Sequence, residues 1–276
     1  LAALLDADAG LANPGSPLPL LWHWAALSDW PAAATVGADG HPRTDVTSAT
    51  RFSRRMWLGT SVEMHAPALV GDDVEIERVV GEPVEKTGAQ GAFALVTVTT
   101  TVSAVAAAGV AVPVPMLTEQ TRFAYRERAP AHPSPSRNLA QAPPAPLLTK
   151  TPAGDCAFTP DPVAVMRFSA VTANAHRIHY DAPYTTAIEG YPQLLVQGPL
   201  MAIALAEVVR REQPEVRWRS FECRAQRPFF LGSRGFIRTL EPPMPTEAGD
   251  EQTITLELHD AADPSTPAYL VAELLR

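Results

Sequence analysis

Cysteine is scarce. Cys156 and Cys223 are the two in 276 residues, too few for a disulfide framework, so a reducing cytoplasm is the default compartment. Positive charge is also short. The 22 lysines and arginines are outnumbered by 30 aspartates and glutamates, and a net charge of -8 excludes the broad basic face that a nucleic acid needs. Long apolar runs are missing too, since none reaches the roughly 18–20 residues that would span a bilayer. No charged-then-apolar leader with a cleavage site is visible, although the chain starts at Leu1 and not at Met. The expectation is a cytoplasmic protein with neither nucleic acid nor membrane as partner. What is present is 46% hydrophobic against 19% charged residues, the composition of a globular chain with a sizeable core.

The charge that exists is uneven. Eight of the 20 arginines lie between Arg210 and Arg238. A segment like this can hold a small anionic ligand through guanidinium forks, with Arg224 and Arg227 favoured for phosphates. The plainer alternative is a helix end and a strand with solvated outer faces.

The chain is built twice. "SVEMHAPALVGDDVEI", Ser61 to Ile76, aligns with "SFECRAQRPFFLGSRGFI", Ser220 to Ile237, after a two-residue insertion. Each copy runs on into alternating segments broken by turn residues, "KTGAQG" in the first and "EAGD" and "ADPST" in the second, which read as antiparallel strands. The stretch 127–154, "ERAPAHPSPSRNLAQAPPAPLLTKTPAG", reads as a Pro/Ala-rich linker. The expected organisation is thus residues 1–126, a linker 127–154, and residues 155–276. Before Ser220, "PLMAIALAEVVRREQ" is apolar nearly all round and predicts a buried helix near 199–212, started by Pro199. Before Ser61 the matching "TSATRFSRRMWLGT" holds no such helix. A sheet wrapped around one buried helix is the hot-dog arrangement. The expected class is α+β, a double hot-dog of two antiparallel sheets, with the helix intact in the second half and degenerate in the first.

Chemistry concentrates in "NAHRIHYDAPY", Asn174 to Tyr184. His179 is the natural proton carrier, and Asn174 can hold a water or a substrate oxygen without titrating. Gly198, at the start of the long helix, can aim its N–H at a developing oxyanion. His176 either contacts substrate or orients His179. Arg54 and Arg55, beside Trp57, either pair with a substrate carboxylate or cover the first half. A buried structural histidine is the duller reading of His179. "HxxHxD" could be taken as three metal ligands, but it is short and lacks a fourth, so no metal is expected. Asp181 reads as a brace of the loop.

These residues carry a resemblance. "FSAVTANAHRIHYD" resembles the MaoC-like hydratase/dehydratase motif, which runs from an acidic residue through Asn to His and later sets a His-Gly pair at the helix start. It is more similar still to the subgroup of yeast-type mitochondrial 3-hydroxyacyl-thioester dehydratase and the mesaconyl-C4-CoA and itaconyl-CoA hydratases. "PLPLLWHWAAL", "DGHP", "SRRMW", "LVGD" and "TEQTRFAYRE" resemble that subgroup too, so the likeness runs from about Leu18 to about Ile237. The resemblance implies a hydro-lyase acting on an acyl-CoA thioester, extending to branched dicarboxylic C4–C5 acyl groups such as mesaconyl or itaconyl. Coenzyme A enters only as part of the substrate, with no other cofactor, and a homo-oligomer is compatible with it. Two departures stand out: Asn174 occupies the acidic position, and Gln197, a candidate substrate contact, stands where relatives have His. They keep two rivals open, an acyl-CoA thioesterase and a non-catalytic acyl-thioester-binding subunit.

Overall fold

A computed structural model describes residues 1–43, 50–88, 91–105, 114–127, 145–240 and 252–276. Most of the linker (128–144), the centre of the "KTGAQG" turn (89–90) and the "EAGD" turn lie outside the described residues.

Eleven strands form one sheet in the order β2-β4-β5-β1-β8-β11-β10-β9-β7-β6, with β3 also on β4. The first half supplies β1 (Arg54–Met64), β2 (Val74–Val80), β3 (Val84–Gly88), β4 (Gly91–Ala104) and β5 (Val114–Arg126). The second supplies β6 (Leu148–Lys150), β7 (Cys156–Phe158), β8 (Ser220–Ala225), β9 (Gly235–Leu240), β10 (Thr253–Asp260) and β11 (Leu270–Leu275). All these pairings are antiparallel. The two expected sheets are therefore continuous, joined where β1 pairs β8. β6 falls inside the stretch read as linker.

The repeat explains that junction. Val62 and Phe221 occupy equivalent places in the two copies, and they pair with each other across β1 and β8. A local two-fold axis passes between them. Equivalent glycines later in the copies, Gly71 and Gly232, share a left-handed backbone at φ 95° and 90°. Just before each, Leu69 bridges Pro17 and Phe230 bridges Leu195.

Those bridges locate the two helices. After Leu195 the chain enters α4 (Gly198–Glu212), and after Pro17 it enters the four-residue α1 (His23–Ala26). α1 is the remnant of the lost helix, and it lies far upstream of the place searched in the sequence. Between the halves' helices sit α2 (Pro162–Val171) and α3 (Ala182–Ala187). Pro199 at the second helical position suits α4, because the amide it lacks would have had no helical partner. Residues 200–209 of α4 are all buried, packed with Phe158, Phe168, Phe221 and Phe229. Glu207 is the one charge inside, and Arg210 and Arg211 reach back to it at 2.7 Å and 2.8 Å. Among the described residues, no helix is long and apolar enough to cross a membrane.

Candidate active site

With only α1 in place of a long helix, the first half leaves space. A cavity of about 800 Å³ opens between the halves, lined from both sides. Trp24, Glu119 and Phe123 line it from the first half; Asn174, His176 and His179 from the second.

The loop from 174 to 181 is built by local hydrogen bonds. α2 ends with Ala173 in the left-handed region (φ 50°), which turns the chain into Asn174. Asn174 Oδ1 accepts from the His176 amide at 3.1 Å, so the Nδ2 group is the one left for the cavity. Asp181 caps α3 by accepting from the Tyr184 amide at 3.0 Å, and its other oxygen takes the Arg177 guanidinium at 2.7 Å. It braces the loop, as its place in the sequence suggested. His179 is buried, and its Nδ1–H donates to the Leu195 carbonyl at 2.9 Å. That bond fixes the tautomer: Nε2 keeps its lone pair and has no partner among the described residues. Burial holds the imidazole down at about 4, with the Leu195 bond opposing and His41 assisting, so the ring is an unprotonated acceptor at neutral pH.

Gly198 starts α4 beneath Trp57, and a Cβ there would strike the indole, with Cζ3 only 2.6 Å away. Its amide carries no hydrogen bond among the described residues, and it is the next residue along α4, Pro199, that lines the cavity. Trp57 lines the cavity beside it. Gln197 is placed differently from expectation. It is fully buried, and its Nε2 donates to Val165 O and Ser169 Oγ at 2.9 Å each, tying α2 to the start of α4. It is a structural clamp and does not line the cavity.

The two adjacent arginines part company. Arg54 packs 4.1 Å over the Tyr191 ring and pairs with buried Glu189 at 3.4 Å, so its charge is matched within the protein. Arg55 lines the cavity, lies 3.8 Å over the Phe123 ring and has no ion pair among the described residues. Arg224 is exposed and pairs with Glu222 at 3.3 Å. Arg227 sits at the cavity rim, stacked on Tyr269 at 3.7 Å and bonded to Thr266 Oγ1 and Pro267 O. With Arg238 near Asp155 at 3.4 Å, much of the arginine-rich segment is engaged internally.

Two clusters escaped the sequence reading. At one end, Glu119 accepts from His23 Nε2 (3.1 Å), Trp24 Nε1 (3.0 Å), Thr60 Oγ1 (2.8 Å) and Thr121 Oγ1 (2.9 Å). Burial alone would raise this carboxyl, but the hydrogen bonds and the His23 charge win and hold it at about 2. At the other end, the His41 ring meets His176 at a centroid distance of 4.1 Å, and His176 meets His179 at 5.6 Å. Asp39, His41 and His176 offer ligand atoms within 4.8 Å of one another. Asp39 is already bonded to His41, and the Arg55 charge acts on both histidines, which disfavours a cation there. "DGHP" was a visible motif, but its contact with residue 176 is one that no local pattern reveals.

Residues 21–231 match the family described as "Hydroxyacyl-thioester dehydratase type 2". The mesaconyl-C(4)-CoA hydratase of Chloroflexus aurantiacus is 35% identical over 233 residues, covering 83% of this chain and 77% of that protein. Among solved structures, HtdX of Mycobacterium tuberculosis superposes with a TM-score of 0.61 at 16% identity, over 99% of this chain and 91% of its own. Another protein of that organism, described as having a double hotdog fold, gives 0.57 at 16% identity over 99% and 84%.

Proposed function

The chain belongs to the hydroxyacyl-thioester dehydratase type 2 family and is a hydro-lyase, and from that premise we propose how it adds water reversibly across the double bond of an α,β-unsaturated acyl-CoA. The observation that carries the reading is the His179 ring, locked through Nδ1 and without an Nε2 partner among the described residues. In the hydration direction, Nε2 takes a proton from a water held by Asn174 Nδ2. The water oxygen bonds to the β-carbon, and the π electrons move onto the α-carbon and thioester oxygen as an enolate. The Gly198 N–H, at a helix N-terminus, is the proposed donor to that oxygen. The α-carbon then takes the proton back from His179, and the ring returns neutral. Dehydration is the reverse. No metal or redox cofactor enters, because the thioester itself acidifies the α-position.

The acyl group we propose is a branched dicarboxylic one of mesaconyl or itaconyl type. The named activity of the Chloroflexus relative supports it, as does Arg55, which has no ion pair among the described residues. The pantetheine arm leaves past Ala225 and Arg227 at the rim, with exposed Arg224 and Arg234 as the arginines available to phosphates. The test is absorbance of the enoyl-thioester band with crotonyl-CoA and mesaconyl-CoA. Loss of the band without free thiol supports the reading. Release of thiol means a thioesterase, and binding with neither change means a non-catalytic subunit.

A further inference from the structure

We infer that Arg55, His41 and Asp39 form a receptor for a second carboxylate carried by the acyl group, and that a proton joins His41 Nε2 as this carboxylate enters. The inference rests on the hydratase reading and specifies its substrate by charge.

The receptor is built onto the catalytic loop. The turn from Gly37 to His41 closes with a Gly37 N–H to His41 O bond of 2.7 Å. It docks on the loop through the Arg177 amide to Asp39 O and Arg177 Nη1 to Ala38 O, both 2.9 Å. Gly40, at φ 92°, lies so close that a Cβ would collide with the Ala175 carbonyl. Within the turn, Asp39 Oδ1 accepts from the His41 amide at 3.1 Å and Oδ2 faces His41 Nδ1 at 3.3 Å. The carboxylate thereby aims the ring and leaves Nε2 without a partner among the described residues.

Arg55 supplies the fixed charge. The Arg55 guanidinium feels the Asp39 charge but is in ion-pair contact with no carboxylate among the described residues, and an incoming carboxylate can meet it with two parallel hydrogen bonds. The anion has to belong to the acyl group. His176 sits between His41 and His179, so the receptor is two ring contacts from the proposed base, beside which that carbon must lie. The phosphates of coenzyme A are separated from that carbon by the whole pantetheine arm.

The proton follows from what surrounds His41: Asp39 on its own turn, Arg55 on β1, and His176 and His179 on the loop, with Tyr125 on β5 acting on Arg55 and Asp39. Burial and the Arg55 charge keep His41 below its ordinary range against the pull of Asp39. A carboxylate paired with Arg55 cancels that field. To donate to the same carboxylate, Nε2 must be protonated, and Asp39 stands behind the ring to stabilise the imidazolium.

The experiment uses two saturated four-carbon thioesters that cannot be hydrated, succinyl-CoA and butyryl-CoA. Both are titrated calorimetrically at pH 7.5 in phosphate and in Tris, whose ionisation enthalpies differ. Succinyl-CoA is expected to bind about ten- to hundredfold more tightly, the worth of a charged hydrogen-bonded pair, and to take up a fraction of a proton. Butyryl-CoA takes up none. Arg55→Gln and His41→Asn should each reduce the preference, and His41→Asn should abolish the uptake. Equal affinities, no binding, or tighter succinyl-CoA binding without proton uptake overturns the inference. Failure to hydrate any enoyl-CoA, with the succinyl-CoA preference intact, would instead count against the hydratase reading alone.

Discussion

Replacing Glu119 by glutamine keeps the shape of a side chain that four donors surround and removes its charge. The side chain is buried, so solvent does little to screen it. Its carboxyl falls from an ordinary 4.5 to about 2, a difference worth about 3 kcal/mol of folding stability. The folded value is the lower one. The contribution is therefore complete above about pH 4.5 and disappears as the pH falls toward 2. At pH 7 the variant should lose about 3 kcal/mol against urea, because the amide also turns a donor toward groups that are donors themselves. The gap between parent and variant should narrow steadily from pH 5 downward. Tryptophan fluorescence is a suitable probe, since Trp24 is one of the donors to Glu119. A loss below about 1 kcal/mol at pH 7, or a gap that stays constant between pH 5 and 3, would refute the assignment of Glu119 as the charged tie of α1 to the sheet.

His179→Ala should lower kcat by about 10²–10⁴-fold on crotonyl-CoA, the worth of a positioned base. In the parent enzyme, kcat/KM should stay flat down to pH 5 and fall below pH 4 as Nε2 is protonated; a limb near the ordinary imidazole value would contradict the burial argument. Asn174→Asp should add a second ionisation to that profile, read as two coupled apparent values. Gly198→Ala should cost about 1–3 kcal/mol in thermal unfolding and change the tryptophan emission, since Trp57 must move away from the helix start. Ala173→Gly should stabilise by up to about 1 kcal/mol, because glycine holds the left-handed backbone without strain; a lower melting temperature would speak against it.

Much of the fold could be read from the chain because the two copies keep the residues that backbone geometry demands. Gly71 and Gly232 mark one turn, and Val62 and Phe221 fix where the copies meet. The buried helix was equally open to reading, since ten successive buried residues leave an apolar signature on every side. The remnant helix was not. A single turn of helix has no periodicity, and 27 residues separate Ala26 from the start of β1 at Arg54. That Asn174 and His179 share one loop at a cavity could be read from the chain because the loop's hydrogen bonds are local or reach only to Leu195. Gln197 was misplaced because its partners are on α2, and nothing in a Gln-Gly pair tells whether the amide turns inward or toward a cavity. Arg54 and Arg55 are indistinguishable as letters. One finds Glu189, and the other packs on the Phe123 ring with no ion pair among the described residues.

The cavity and its polar ends have one origin. In the second half, α4 fills the concave face of the sheet with apolar side chains from Leu200 to Val209. In the first half a single turn of helix covers the equivalent face, so strand positions that would have been sealed under a helix remain open to ligand. A charged or hydrogen-bonding residue there would be costly beneath an apolar helix, yet it is tolerated on a cavity wall. Glu119 is tolerated because four donors satisfy it. Arg55 has no such set of partners among the described residues and stacks on the Phe123 ring. Losing the helix therefore did more than enlarge a pocket: it freed one wall to carry charge in the same cavity that the His179 ring of the other half lines.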